Sequence, residues 1–190
     1  MIVAAGPGRF PLKAMRHPHT WVYGSLRVLT AATLTAALAY ATSAEISVLS
    51  ALFIPIGILL AWGLFGRRPA PADAFGSLVI LAGIAGVAAG LPGGLAGTAA
   101  TLMAVSAGAT ALCTAIAEMH PENRGDDRKT RLRLTGAAML ATAVLMLAAA
   151  LTVSHFDPDG LVAPHVPLAA AADPRVWIAG GLVGVLVRGP

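Results

Sequence analysis

Apolar residues along this chain gather in blocks of about twenty rather than alternating with polar ones, and a helix of that length crosses the hydrocarbon core of a bilayer. The first block covers residues 21–41 and the second 46–65, joined only by Thr42, Ser43, Ala44 and Glu45. So short a link predicts an antiparallel hairpin. Gly66-Arg67-Arg68-Pro69-Ala70-Pro71 ends the second block, because proline cannot continue a helix and paired arginines belong at headgroups. A third span is predicted over 74–91, followed by the uncharged turn Leu91-Pro92-Gly93-Gly94 and a fourth span over 95–117.

Residues 118–133 are the most polar stretch, with Glu122, Arg124, Asp126, Asp127, Arg128, Lys129, Arg131 and Arg133. A fifth span follows over 134–153. Residues 154–174 carry Asp157, Asp159, Asp173 and four prolines, too polar and too often interrupted to span. The last apolar run, 176–187, is only a dozen residues long and reads as the start of a sixth span. The predicted fold is all-α, a polytopic transmembrane bundle of five to six spans. The lack of period-two alternation excludes a transmembrane barrel.

Placing loops on alternate sides gathers the N-terminal segment 1–20, Arg67-Arg68, the 118–133 loop and Arg188 on one side. Of the loop cations only Arg175 falls opposite, directly after the 154–174 loop. An excess of Lys and Arg marks the cytoplasmic face, so the N-terminus and 118–133 are expected inside and 154–174 outside, in a cell membrane of the bacterial inner or plasma type. Arg27, a turn into the first span, reaches back to the same headgroups. The first block is longer than a signal-peptide core and has no cleavage site after it, so it is read as a retained span.

Composition agrees: 57% of residues are hydrophobic, 12% are charged, and the mean hydropathy is +0.77. The net charge of +4 does not point to a nucleic-acid partner, since the cations lie between apolar blocks instead of on one soluble face. Cys113 is the single cysteine, which leaves no disulfide framework or thiolate cluster within the chain. His120, His155 and His165 stand in no HxH or HExxH spacing and read as solvated loop residues. With no phosphate-cradling loop, nucleophile elbow or carboxylate pair inside a span, neither an enzyme nor a cofactor is expected.

The order of several short patterns resembles the EamA-type repeat of the drug/metabolite transporter superfamily. Ala37-Leu38-Ala39-Tyr40-Ala41-Thr42-Ser43-Ala44 is similar to that family's ALxYTSA helix end. Pro55 is similar to the proline midway through the next helix, and Ala61-Trp62 with Gly66-Arg67-Arg68-Pro69 to its exit, although Arg67 stands where the family has Glu. Gly76 and Gly83 resemble its paired glycines. On this resemblance residues 21–91 match the end of a first repeat and 92–190 the start of a second. The implied fold is an inverted-repeat transporter of ten spans, of which this chain is expected to hold the third to part of the eighth. The implied function is secondary, proton-coupled export of small metabolites such as amino acids or drugs. The alternative is a non-transporting subunit, or a truncated carrier, that packs with partner helices.

Candidate residues follow from both readings. Tyr40, Glu45, Pro55, Ser106 and Thr110 are assigned to a solute path. Glu45 offers an acid at a cavity mouth, or else caps the following helix. Pro55 removes a backbone hydrogen bond and can free carbonyls to line a path, or simply kinks the span. Ser106, Thr110 and Thr114 share a face at i, i+4 spacing and either present hydroxyls to a solute or bond their own i−4 carbonyls. Gly76, Gly83, Gly86 and Gly90 are assigned to close helix packing. The expected partners are the bilayer, a small solute, and a second copy or partner membrane subunit.

Overall fold

The computed structural model describes residues 12–124 and 128–156. The chain divides into two units, 1–145 and 146–190. The described part of the second is the end of one helix. Among the described residues all regular structure is helical.

A single turn, α1 (Leu12–Met15), precedes α2 (Pro18–Ala37). Pro18 opens α2 where its missing N–H has no helical acceptor to lose. After a turn at 38–40, Thr42 caps α3 (Ser43–Ser50), and α4 (Phe53–Phe65) follows. Together α3 and α4 make a span-length helix of 23 residues, Ser43–Phe65. Pro55 accounts for the break between them. It has no N–H for the Ala51 carbonyl, and Ile54 N–H takes that oxygen at 3.0 Å. Ala51 and Leu52 N–H likewise bond three residues back, to Val48 and Leu49, both at 3.1 Å, a local tightening that a proline imposes on the turn before it.

Gly66, at φ 64°, turns the chain out of α4 so that Arg67 N–H returns to the Ala61 carbonyl at 3.4 Å. α5 (Pro71–Ala89) starts with Asp73 accepting from Ala70 N–H at 3.1 Å. In the next turn Gly93 and Gly94 take φ 80° and 61°, and a side chain on Gly97 would run into the Pro92 carbonyl. A 3-10 turn, Gly94–Ala96, leads into α6 (Thr98–Met119). A second 3-10 turn, Pro121–Arg124, comes before α7 (Arg128–Phe156).

α6 is the centre of the bundle, with α2, α3 and α4 packed on it. Half of its apolar window is buried, against 11% for Ser43–Phe65, 11% for α5 and 17% for Leu134–Thr152 of α7. Its buried face is almost entirely small: Ala99, Ala100, Ala107, Ala109, Ala111, Cys113 and Ala115 surround Met103. Small side chains let helix axes approach closely, and that closeness replaces bulk as the source of contact.

Among the described residues, four helical segments are long and apolar enough to cross a membrane: Ser43–Phe65, Pro71–Ala89, Thr98–Met119 and Leu134–Thr152. They correspond to the second to fifth predicted spans. α2 has 20 residues but carries Arg27, His19 and several hydroxyls, which keep it outside this set. The predicted start of a sixth span at 176–187, and the 154–174 loop from residue 157 onward, lie outside the described residues. The polar stretch 118–133 is not one loop. Glu118 and Met119 finish α6, and residues 128–133 form the first turns of α7. Arg and Lys are good helix formers, and backbone hydrogen bonding does not stop where apolar side chains do.

Candidate functional site

Among the described residues, Arg67 and the start of α2 both meet the last turn of α6. Arg67, just beyond α4, pairs with Glu118 on the last turn of α6 at 3.5 Å. The start of α2 meets the end of α6 through Thr20 and His120, whose Oγ1 and Nε2 lie 3.4 Å apart.

Between α4 and α6 runs a groove of about 300 Å³. Phe53, Ile54, Gly57 and Ile58 form one wall and Ala111 and Ala115 the other, while Thr114 and Glu118 supply its polar atoms. The groove is therefore an apolar slot with a carboxylate toward one end, the arrangement that accepts a small amphiphilic molecule. The Arg67–Glu118 pair is exposed on both sides, so it contributes little to stability and is readily exchanged. Arg67 also sits over the Phe65 ring at 5.4 Å, which helps hold it beside the groove.

The residues assigned to a solute path do not line this slot. Tyr40 is exposed in the turn after α2. Glu45 completes a capping box: its Oε2 accepts from Thr42 N–H and Thr42 Oγ1, both at 2.7 Å, while its own N–H reaches Thr42 Oγ1 at 3.4 Å. The N-cap residue itself is Thr42. Pro55 is buried at the α3–α4 break. The carbonyl it releases is taken up by Ile54, and what the proline supplies here is the break itself.

Ser106 and Thr110 face α2. Ser106 Oγ donates to the Thr30 carbonyl at 3.3 Å, Thr110 Oγ1 donates to the Ser106 carbonyl at 2.9 Å, and Thr30 and Thr110 hydroxyls lie 3.5 Å apart. These groups join two helices in a medium where an unpaired hydroxyl is costly. One turn along, Thr114 is the member of the stripe that reaches the groove.

Nothing lies within 4 Å of a side-chain atom built on Gly76, Gly83 or Gly86, and Gly90 meets only the Val87 carbonyl at ordinary range. The inward face of α5 is instead Ile84 and Ala88. Close helix approach is found at Gly24 of α2, where an added Cβ would sit 3.0 Å from Leu145 Cδ1 and 3.3 Å from Thr142 N of α7.

His120 is not solvated: only 3% of it is exposed. Its ring centroid lies 4.9 Å from that of His17 and 6.0 Å from that of His19, and the latter two are 4.7 Å apart with their Nδ1 atoms at 3.0 Å. The His17-Pro18-His19 spacing was the signal in the sequence. The third ring joins only because α2 and α6 run side by side. Comparison with protein families, curated proteins and solved structures returns no match for this chain.

Proposed function

We propose that the chain is a multi-pass membrane protein of the solute-carrier type, a proton-coupled exporter of small metabolites such as amino acids or drugs, related to the EamA-type transporters. The observation that carries this reading is the groove and the break in the helix that walls it. α4 lines the slot, and Pro55 leaves one α-helical hydrogen bond unmade where α4 joins α3, the place at which α4 can rock while α3 stays packed in the core cluster with Ile46 and Leu49. Glu118 offers a group that a solute or proton engages at the groove's polar end. In this reading α2 is a further span, giving five or six in all, and the end bearing Arg67 and Glu118 is cytoplasmic.

The test is export from proteoliposomes holding only this chain under an imposed pH gradient, with labelled amino acids and a lipophilic dye as cargo. Flux well above empty vesicles, reduced at least severalfold by Glu118→Gln and by Pro55→Ala, is the expected result. A folded chain with no flux sinks the carrier reading.

The second reading, a non-transporting subunit that packs with partner helices, is favoured by the open small-residue face of α5 at Gly83 and Gly86. It predicts no flux and a complex of larger mass in native detergent.

A further inference from the structure

We propose that His17, His19 and His120 form a proton-operated clasp that fastens the start of α2 to the end of α6 and opens when the cluster takes up more than one proton. The proposal is independent of what the groove carries.

The clasp is built from opposite helix ends. His17 is the N-cap of α2 and His120 the C-cap of α6. Thr20 ties the two. Its single hydroxyl proton goes to the Ala14 carbonyl at 2.6 Å, so toward His120 it accepts, and the proton between them sits on His120 Nε2. Asn123 secures the same helix end, donating from its backbone to the His120 carbonyl and from its side chain to the Ala117 carbonyl, each at 2.9 Å. One positive charge at His120 suits this place, since the end of a helix carries partial negative charge.

The His17–His19 pair behaves differently. Its 3.0 Å contact joins two Nδ1 atoms, and a hydrogen bond there requires one of them to be bare. With a proton on each Nδ1 both become donors, the bond is lost, and two cations face each other at the positive end of α2. A third charge, on His120, sits one ring away. The other charged residues on the elements that meet here are Lys13 on α1, Arg16 before α2, Arg27 two turns along α2, Glu118 on α6, and Glu122 and Arg124 on the 3-10 turn. Repulsion is relieved by moving the start of α2 away from the end of α6. Histidine alone among ordinary side chains changes charge over this range of pH.

The test uses the full chain in lipid nanodiscs, with spin labels at Arg16→Cys and Pro121→Cys in a Cys113→Ala background. Distances are read at about pH 7.5 and about pH 5.0, a range that spans histidine titration. A short, narrow distribution that lengthens and broadens at the lower pH, and reverses on return, is expected. Replacing both His17 and His19 by Gln, which leaves His120 as the one member of the cluster able to charge, should hold the short distribution at both. Hydrogen exchange of the unsubstituted chain supplies a readout free of variants: after correction for intrinsic rates, protection near residues 14–24 and 117–124 should fall at the lower pH. Unchanged distances and protection across the range, or a pH response that persists when both His17 and His19 are Gln, would overturn the clasp.

Discussion

α5 and α6 are both span-length, apolar and rich in small residues, yet only 11% of the first window is buried and 50% of the second. The difference lies in which small residues face what. On α6 a continuous alanine face, with Ser106 and Cys113 set into it, is enclosed by α2, α3 and α4. Each of those polar atoms finds a backbone carbonyl on α2: Ser106 that of Thr30, and Cys113 that of Tyr23 at 3.7 Å. On α5 the glycines point away from the packed face, and large side chains such as Phe75 and Leu78 are exposed beside them. Glycine spacing therefore identified a helix that can be approached, whereas alanine with hydroxyls identified the helix that has been.

Substitutions on the two helices sharpen this contrast. Met103 is 1% exposed at the centre of the α6 face, and Met103→Ala should destabilise by about 2–5 kcal/mol through the cavity it leaves. Reversible unfolding in mixed micelles measures this, and a loss below about 1 kcal/mol would mean the α6 core is looser than its burial implies. Gly24→Val comes next. The added carbons meet the backbone of Thr142 as well as the yielding Leu145 side chain, and overpacking of this kind costs about 1–3 kcal/mol; a melting temperature equal to the parent's would break the α2–α7 contact.

Ser106→Ala should be milder, about 0.6 kcal/mol, the mean for a hydrogen bond between membrane helices. A double substitution with Thr110→Val that is no worse than the sum would show the two hydroxyls acting separately, as their different acceptors suggest. Gly83→Ala on α5 should leave the isolated chain unchanged or stabilise it by roughly 0.5–1 kcal/mol, because helix propensity improves and nothing is touched. If that variant instead lowers both stability and the mass of the native complex, α5 is buried by a partner.

Much of the local structure was legible. The Thr42-to-Glu45 spacing contains its capping box, Pro55 its break, and Gly66 with the prolines after it the stop between α4 and α5. Such features depend on neighbours in sequence, where backbone geometry leaves few choices. The site was less legible. Glu118 opens the polar 118–133 stretch, and nothing in the sequence places it beside Phe53 and Ile54, which stand more than sixty positions earlier. His120 looked like one residue of a polar loop. Its burial follows from α2 reaching the end of α6, a distance in space that periodicity does not encode.

What the amino-acid order determined by itself is the succession of apolar helices and their turns, because hydrophobic length, proline and glycine each act within a few residues. What the tertiary structure decided is which face of each helix is inside. Small residues permit close approach without demanding it, and hydroxyls can bond their own helix or the next one. Only the arrangement of α2, α3 and α4 around α6 selected among those options, closing the Thr30–Ser106 face, leaving the groove beside Glu118 open, and drawing His17, His19 and His120 together.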